Sequence, residues 1–425
     1  MEKKKNQRKF FSEESPSPLQ NGVFPACRLH VENFLTLKYL DIDIPKVTIL
    51  IGPQAEGKSI LAKLCYFFYE ILSNCKFTSS TKMIKSTIRH TFQQYFPRTI
   101  WKNDTFLLNF TCDNYDISLK YNTKALSIVF NKIFDTDIKT YIKFNNTIIQ
   151  EESQEKIREL YSSFINDLPS PFLINPIFIP ALRQFYSQIR DNVFSVLEIT
   201  DKGKFDPFVQ KFGSTYELVK RINCSNDKII LNINENIQHI LKGKYKFIQN
   251  KEYIVNSIDK EIPLSIASSG QQESLPLLLL MSLSGRNNRV FLEEPEAHLF
   301  PSTQKDIMYD LVKILNRNKW SSIFITTHSP YILSSLNNLI AAYDVLRKKN
   351  EQKVKEMEGI LPRDTWLNFD DVKCFYLEDG NIQDIMDKDL RMIDYTKIDE
   401  CSSSIINEMN KILAILNEDD DDSYM

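Results

Sequence analysis

The segment VTILIGPQAEGKSILAKLCYFF, residues 47–68, decides the fold of this chain. Its first five residues form a continuous apolar run, which is typical of a strand that is buried on both faces. The next eight residues fit the pattern G-x-x-x-x-G-K-[ST], and a helical repeat of apolar residues begins directly after them. A glycine-rich turn in this context presents backbone N–H groups and a helix N-terminus to phosphate oxygens. The segment therefore predicts an α/β fold with a nucleotide-phosphate loop.

Two side chains of this loop are expected to have specific roles. Lys58 would place a positive charge on the β- and γ-phosphate oxygens, and the Ser59 hydroxyl would be a ligand of Mg²⁺. The remaining positions would supply backbone N–H groups and the turn itself. The predicted phosphate-binding residues are Gly52, Pro53, Gln54, Ala55, Glu56, Gly57, Lys58, Ser59 and Ile60.

The composition limits the class of protein. A chain of 425 residues with 42% hydrophobic content can form one large domain or two closely joined domains. The net charge of −2 gives no overall attraction to nucleic acid or membrane, so any basic surface must be local. Seven cysteines without a C-x-x-C pair predict reduced thiols in a cytoplasmic protein. The longest apolar run, residues 275–283, is too short to span a bilayer, and we expect no membrane partner.

A second apolar run leads into a group of acids in FLEEPEAHLFP, residues 291–301. These acids could form a metal-dependent nuclease centre. They could also form half of a nucleotide-hydrolysis site, in which Glu293 would hold Mg²⁺ through water and Glu294 would orient or deprotonate the attacking water. The phosphate loop favours hydrolysis, and we then expect Glu296 and His298 to shape the loop that follows.

A third apolar run, in SSIFITTHS at residues 321–329, leads to His328. A lone histidine is usually structural or simply exposed. The position of His328 after a strand, downstream of two matched motifs, favours a functional role. We expect it to reach the γ-phosphate beside Glu293 and Glu294.

The segment ASSGQQESLPLLLL, residues 267–280, places small polar residues before an apolar helix. Alone it predicts either a polar helix cap or an anion-binding helix N-terminus. In order along the chain, the series GPQAEGKS, ASSGQQE, FLEEPEAHL and TTHSPYIL resembles the ABC-type ATPase head of the SMC/RecF/OLD group. ASSGQ then corresponds to the LSGGQ-like signature of that group, which implies nucleotide contacts by Ser268, Ser269, Gly270 and Gln271.

The resemblance implies ATP and Mg²⁺ as cofactors and a homodimer, or a higher homo-oligomer, in which two heads sandwich two ATP molecules. Each site would join the phosphate loop and acids of one chain to the signature of its partner. The acids would then be the Walker B pair. Two positions depart from the pattern: Glu293 replaces the usual aspartate, and Phe300 stands where many transporter ATPases have the D-loop aspartate.

The segment PIFIPALRQFYSQIR, residues 176–190, resembles the I-P-A-x-R segment near the Q-loop of these ATPases. Arg183 and Gln184 are therefore candidates to sense the γ-phosphate or the dimer partner. A surface-facing polar pair at a helix start is the alternative, and both stay open. Residues 191–260 are expected to form a helical insertion, whose lysines and aromatic residues at 242–253 are either a nucleic-acid surface or a solvated helix face.

The predicted fold class is therefore α/β: an ABC-ATPase head with a mixed or parallel core sheet, an antiparallel β subdomain and a helical insertion. No sustained heptads occur, so we expect no long coiled coil. Glu378 follows a strand, but no later strand ends in paired aspartates, which argues against a built-in nuclease. The expected divisions are a flexible tail at 1–25, the ATPase core at 26–75 and 260–345, a mixed insertion at 76–259, a C-terminal α/β extension at 346–416 and an acidic tail at 417–425.

Within the group, the chain looks like the ATPase subunits of two-component anti-phage systems of the PARIS and Septu types. That resemblance implies a regulator that senses a phage protein or nucleic acid and controls a separately encoded effector, a nuclease or toxin. The alternative is a RecF- or SMC-like clamp or repair ATPase that binds DNA. A transporter subunit is disfavoured by the EEPEAH sequence and the missing D-loop aspartate.

Overall fold

The protein is described by a computed structural model. The described residues are 25–75, 80–101, 104–151, 153–168, 170–184, 206–223, 235, 237–249, 251–283, 288–317, 321–348, 350–394, 396 and 406–412. The predicted N-terminal tail, except residue 25, all of 185–205 and the acidic tail lie outside these residues.

Strands and helices alternate along most of the chain. The strands are β1 (Cys27–Phe34), β2 (Leu37–Ile44), β3 (Val47–Ile51), β4 (Thr105–Cys112), β5 (Tyr115–Asn122), β6 (Leu126–Phe130), β7 (Asn175–Ile179), β8 (Lys244–Ile248), β9 (Lys251–Val255), β10 (Glu261–Pro263), β11 (Asn288–Glu293), β12 (Ser322–Thr327), β13 (Val372–Glu378), β14 (Asn381–Asp384), β15 (Met386–Asp387) and β16 (Met392–Ile393). The helices are α1 (Lys58–Cys75), α2 (Thr81–Tyr95), α3 (Lys132–Ile149), α4 (Gln154–Asp167), α5 (Ser170–Leu173), α6 (Pro207–Asn223), α7 (Ser269–Leu283), α8 (Pro301–Arg317), α9 (Pro330–Asp344) and α10 (Glu351–Ile360).

One mixed sheet of eleven described strands organises the fold, in the order β6-β5-β4-β1-β2-β14-β13-β3-β12-β11-β7. The five strands from β13 to β7 are mutually parallel. Strands β1, β2, β4, β5 and β6 pair antiparallel with one another. The expected α/β class, with a mixed core sheet and an antiparallel β portion, is confirmed. Among the described helices none exceeds 18 residues.

The sheet separates two hydrophobic cores, because successive side chains of a strand point to opposite faces. In β11, Phe291 packs into the core on the face covered by α1, whereas Val290 and Leu292 pack into the core covered by α7, α8 and α9. The same alternation occurs in β12. Strands β3, β11 and β12 are buried along their whole length, as their apolar sequences predict.

Contrary to our expectation, the segment 191–260 is not wholly helical, because β8 and β9 lie within it and form a separate antiparallel sheet with β10, which follows directly after it. Alternating exposure along β9, with Glu252 and Ile254 buried, is the period of a half-buried strand. The Glu252 carboxylate accepts hydrogen bonds from the Tyr216 and Tyr245 hydroxyls and from the buried Lys220 ammonium at 3.0 Å. This buried network attaches the small sheet to α6.

The expectation of reduced thiols is wrong at one pair. Cys27 and Cys112 lie opposite each other on β1 and β4 and form a disulfide. They are 85 residues apart, and only strand pairing brings them together. Cys65, Cys75 and Cys374 are buried free thiols.

The segment predicted as a C-terminal extension contributes to the main sheet. Strand β13 lies directly beside β3 and pairs with it in parallel, from Val372 opposite Val47 to Tyr376 opposite Ile51. Strand β14 then joins β13 to β2. Residues 372–384 therefore complete the sheet that carries the phosphate loop. None of the described helices is long and apolar enough to cross a membrane.

Arg289 is a fully buried cation in β11 that connects this strand to the turn between β2 and β3. Its Nε donates to the Ser322 Oγ at 2.8 Å and its Nη2 donates to the Pro45 carbonyl at 3.1 Å. Its guanidinium also lies over the Tyr69 ring, 4.5 Å from the centroid. Burial lowers the pKa of this guanidinium. Its hydrogen bonds offset part of the free-energy cost of burying the charge in the core.

We predict that Arg289→Ala lowers the free energy of unfolding by about 2–4 kcal/mol, because it leaves a cavity and buried acceptors without a donor. Urea unfolding monitored by circular dichroism would measure this. The matched control is Arg347→Ala, since Arg347 is exposed, and its expected effect is within about 0.5 kcal/mol. Equal effects of the two substitutions would contradict the stabilising role of Arg289.

Candidate nucleotide site

The sequence motifs meet at one edge of the sheet. Because β3, β11 and β12 are parallel, their carboxyl ends lie on the same side, where ligands bind in open α/β sheets. The register places Glu293 opposite Thr326 and Thr327 opposite Ile51. The phosphate loop therefore begins next to the strand that leads to His328, and the acids follow one strand farther along.

The conformation of the loop explains its two glycines. Gly52 has a φ of +152°, and a Cβ there would lie 2.1 Å from the Leu377 carbonyl oxygen of β13. Gly57 has a φ of +99°, and a Cβ there would lie 2.5 Å from the Thr36 hydroxyl. Both positions combine a left-handed backbone with close neighbours, which only glycine accommodates. The loop is thus packed between β13 and the β1–β2 turn.

Lys58 lies across the mouth of this loop. Its side chain is buried, and its ammonium donates to the Gly52 carbonyl at 2.8 Å and to the Pro53 carbonyl at 2.5 Å. Burial lowers the pKa of Lys58, and the nearby charges of Glu294, Glu56 and Glu296 oppose that shift. The loop therefore holds a desolvated cation in the position that a phosphate would contact.

Ser59 and Glu293 form a pair of oxygen ligands beneath the loop. The Ser59 hydroxyl hydrogen bonds to the Glu293 carboxylate, and the Ala181 N–H donates to Glu293 Oε2 at 3.4 Å. Glu293 Oε1 is buried and has no hydrogen-bond partner in the described part of the chain. Burial raises the pKa of Glu293, with Lys63 opposing the shift. A hydroxyl and a carboxylate with an unsatisfied oxygen are suited to Mg²⁺, which prefers oxygen ligands and shares them with phosphates.

Glu294 and His328 face each other above the loop. The Glu294 Oε1 lies 3.7 Å from His328 Nε2, and the imidazole also hydrogen bonds to the Gly52 backbone. Burial and then the charge of Lys58 lower the pKa of His328, which keeps the ring neutral at neutral pH. Glu294 has a φ of +44°, a conformation that costs on the order of 1 kcal/mol and marks a constrained, often functional, position.

Glu296 contacts the site directly, whereas the sequence predicted only a loop-shaping role for it. Its Oε1 accepts hydrogen bonds from the Thr327 hydroxyl at 2.8 Å and from the His328 N–H at 2.7 Å. Its Oε2 is buried and unpartnered among the described residues, and burial raises the pKa of this carboxyl. Glu296 therefore positions the His328 segment. The third acid of EEPE was its only signal in the sequence.

The nuclease interpretation of the acid cluster receives no support from the geometry. Among the described residues, no three His, Cys, Asp or Glu side chains come together in a way that could hold a metal. The Glu296 carboxylate is instead directed to Thr327 and His328, as described above.

The signature segment forms the N-terminal end of α7. Gln271 Oε1 lies 3.0 Å from the Ser268 hydroxyl and accepts from the Ser268 N–H at 3.1 Å, so the polar residues cap the helix. Ser268 and Ser269 are exposed. Gly270 packs against the loop that follows β11, and a Cβ added to Gly270 would lie 3.2 Å from the His298 carbonyl oxygen of that loop. The capping interpretation therefore describes the geometry, and ATP contact by these residues stays a prediction.

Arg183 is fully buried, so the surface-facing alternative for this residue is wrong. Its guanidinium donates to the carbonyls of Pro180, Glu293 and Glu294 at 2.7–2.9 Å, and its Nε lies 3.0 Å from Glu273 Oε2. The Gln184 N–H donates to Glu273 Oε1 at 3.0 Å. Arg183 thus holds the backbone of both proposed Walker B acids. Sensing of the γ-phosphate by Arg183 and Gln184 stays a prediction.

The burial of Glu293 predicts a pH-dependent effect on stability. A raised pKa means that the folded protein binds this proton more tightly than the unfolded chain does. The stability that this carboxyl contributes is therefore present at low pH and is lost as pH rises through the folded pKa. Without nucleotide or Mg²⁺, Glu293→Gln should be more stable than wild type at pH 8, by on the order of 1 kcal/mol, and the difference should shrink toward pH 5.

Thermal unfolding between these pH values would measure the effect. Glu378→Gln is the matched control, because Glu378 is exposed, and it should follow the wild-type profile. A Glu293→Gln protein that is less stable than wild type at pH 8 would show that the carboxylate is satisfied by other contacts.

The chain matches one protein family and is similar to several solved structures. The AAA ATPase domain family matches residues 27–333. Three solved structures of SMC heads are similar to the chain. An SMC head bound to the C-winged helix domain of ScpA has 11% identity and a TM-score of 0.42, and the match covers 85% of this chain and 97% of that chain. An SMC head domain from Thermotoga maritima has 12% identity and a TM-score of 0.36, with coverage of 85% and 98%, and an SMC head with an extended coiled coil, bound to the C-terminal domain of ScpA derived from Pyrococcus furiosus, has 11% identity and a TM-score of 0.39, with coverage of 91% and 100%. No curated protein matches the chain. Because the family match covers well over half of its length, the chain belongs to the AAA ATPase domain family.

Proposed function

We propose that this protein binds and hydrolyses ATP at the edge of the sheet where β3, β11 and β12 end. The observation that carries the proposal is the convergence of Lys58, Glu294 and His328, which are far apart in sequence, around one glycine-rich loop. Ser59 and Glu293 would hold Mg²⁺, which supplies positive charge to the phosphates when bound. The unsatisfied oxygen of Glu293 supports this assignment.

Each of these side chains would have a different role in ATP hydrolysis. Lys58 would release its two loop carbonyls and donate to phosphate oxygens. Glu294, whose side chain is 42% exposed, would accept a hydrogen bond from the attacking water and orient it. Neutral His328 would donate one N–H to the γ-phosphate while Glu296 holds its backbone in place. The role of each residue rests on its position and charge.

We propose further that each site is completed by a second copy of the chain. Ser268 and Ser269 are exposed at the N-terminus of α7, where backbone N–H groups favour an anion. Within the described residues, no hydrogen bond or ion pair joins Ser268–Gln271 to the phosphate loop of the same chain. This arrangement suits contact with a nucleotide held by a partner, in a homodimer or higher homo-oligomer with ATP between its heads.

The proposed biological role is control of a separately encoded effector, a nuclease or toxin, in anti-phage defence. The support is the resemblance in motifs, together with the position of the C-terminal segment. Strands β13 and β14 are built into the core sheet, and the β13 carbonyl at Leu377 contacts the phosphate loop. This described part of the C-terminal segment thus serves the head itself. A phage protein or nucleic acid would be the trigger.

A DNA-binding clamp or repair ATPase of the RecF or SMC type is the alternative function. Its strongest candidate surface is the small sheet of β8 and β9 with its lysines. There Tyr245 is buried, and the Lys246 ammonium pairs with Glu261 at 2.6 Å. A buried ring cannot stack on a base, and a paired lysine offers less charge to phosphates. These contacts make Tyr245 and Lys246 poor ligands of nucleic acid.

The shared site predicts that Ser268→Arg abolishes ATP turnover while leaving ATP binding to the monomer intact, because the large cation blocks only the partner's nucleotide. Steady-state hydrolysis and binding of a fluorescent ATP analogue would measure both quantities. Lys58→Ala should lose binding and turnover together. A 1:1 mixture of the two inactive variants should regain turnover: about a quarter of the wild-type rate if paired sites act independently, and less than a quarter if the nucleotide in one site influences the other. Normal turnover by Ser268→Arg alone would rule out the two-chain site.

The effector proposal predicts the behaviour of Glu294→Gln. This protein should retain ATP, but its rate of ATP hydrolysis should fall by about 100-fold or more, because the attacking water is no longer activated. Tagged Glu294→Gln protein would be purified with ATP and Mg²⁺ from cells that carry its native neighbouring genes, with Lys58→Ala as the control that cannot hold nucleotide. A stoichiometric nuclease- or toxin-like protein is the expected partner. Tightly bound DNA without a protein partner would favour the clamp instead.

A further inference from the structure

A buried ion pair connects the signature helix to the proposed hydrolysis residues. Arg183 and Glu273 are 0% and 2% exposed, and their Nε and Oε2 atoms are 3.0 Å apart. Glu273 lies in the first turns of α7, directly after the signature segment. Arg183 Nε also donates to the Glu273 carbonyl at 3.1 Å. The arginine is therefore attached to both the side chain and the backbone of this helix.

The other side of the same guanidinium holds the acids that follow β11. Its Nη1 donates to the Glu293 carbonyl at 2.7 Å, and its Nη2 donates to the Glu294 carbonyl at 2.9 Å. The Glu294 N–H donates to the Thr326 carbonyl at 2.8 Å. The left-handed backbone of Glu294 is thus held at both its N–H and its carbonyl, and Arg183 is one of the groups that hold the carbonyl, together with the Ala297 N–H at 3.1 Å.

Burying two opposite charges is costly, and an apolar pair of the same volume would often give a more stable core. A planar guanidinium does something that an apolar side chain cannot, because its fork of donors fixes several acceptors in one rigid geometry. Here those acceptors belong to α7 on one side and to the Walker B segment on the other. A displacement of α7 would therefore reach Glu294 through a single rigid group.

A second contact couples the same two segments. Gly270, in the signature, packs against the His298 carbonyl and the Leu299 side chain of the loop that follows the acids. His298 has a φ of +57°, so this loop is conformationally restricted as well. The signature segment and the segment after β11 are thus connected twice, once through Arg183 and once by this direct contact, so a movement of one would affect the other.

We propose that Arg183 and Glu273 are positioning residues that couple the position of the signature helix to Glu294 of the same chain. The inference rests on the proposed function, in which Ser268 contacts ATP held by the partner. The nucleotide in one site would then set the geometry of the hydrolytic glutamate in the other. Arg183 is fully buried among backbone carbonyls, and in this proposal it acts as a link between the two sites.

A double-mutant cycle on the hydrolysis rate tests the link, using Ser268→Ala and Glu273→Gln in the full-length protein. If the effect of Ser268 on hydrolysis is transmitted through Glu273, a protein that already carries one of the two substitutions should lose little more kcat when the other is added. The double variant should then lose less kcat than the product of the two single losses, by about fivefold or more. Glu273→Gln should lower kcat while leaving ATP binding to its own phosphate loop within about twofold of wild type.

Glu252→Gln supplies the matched control, because Glu252 is an equally buried acid paired with Lys220, in a different part of the protein. Its cycle with Ser268→Ala should be multiplicative within about twofold. If Glu273→Gln does not unfold cooperatively, Glu273→Asp, which keeps the charge but shortens its reach, takes its place in the same cycle. Multiplicative losses in the Ser268–Glu273 cycle would overturn the link.

The outcome also separates the inference from the function on which it rests. A wild-type protein that does not hydrolyse ATP contradicts the proposed function. A wild-type protein that hydrolyses ATP, with a Ser268–Glu273 cycle that is as multiplicative as the control, contradicts only the link between the helix and Glu294.

Discussion

The parallel register of β3, β12 and β11 is the constraint on which the site depends. It places Ile51, Thr327 and Glu293 at the same edge of the sheet, although they are encoded in distant parts of the chain. Because side chains alternate between faces, a slip of one residue in β11 would move Phe291 and Leu292 into the wrong cores. The two hydrophobic cores therefore fix the register, and the register fixes the distance between Lys58, Glu294 and His328.

The phosphate loop is constrained just as strongly by a strand from the far end of the chain. Glycine is the only residue type that fits at position 52, because the backbone there has a φ of +152° and lies beside the Leu377 carbonyl of β13. Strand β13 in turn is held between β3 and β14. The loop thus acquires its shape from residues more than 300 positions away, and the C-terminal segment is part of the nucleotide site's support.

This dependence on distant contacts separates what the sequence could predict from what it could not. The strand, loop and helix at 47–75 are encoded locally, by an apolar run, two glycines and a helical repeat, and all three are present. The position of β13 depends on strand order, which no local pattern specifies. The same holds for Arg183, for which the sequence left a sensing role and a surface position equally open, and for Cys27 and Cys112. The alternating pattern of β8 and β9 at 244–255, in contrast, is local and was missed, because the whole of 191–260 was predicted to be helical.

The charges buried around the candidate site lower the stability of the fold, and a bound nucleotide would relieve part of that cost. Glu293, Glu296 and Glu273 all have a raised pKa because they are buried, and only Glu273 has a cation within ion-pair distance in the described structure. Lys58, conversely, is a desolvated cation held by neutral carbonyls. The buried carboxylates and the Lys58 ammonium are therefore incompletely neutralised. Mg²⁺ would supply positive charge to the carboxylates, and phosphates would supply negative charge to the ammonium. Such a site gains more from its ligand than a satisfied one would, since binding relieves costs already present in the fold.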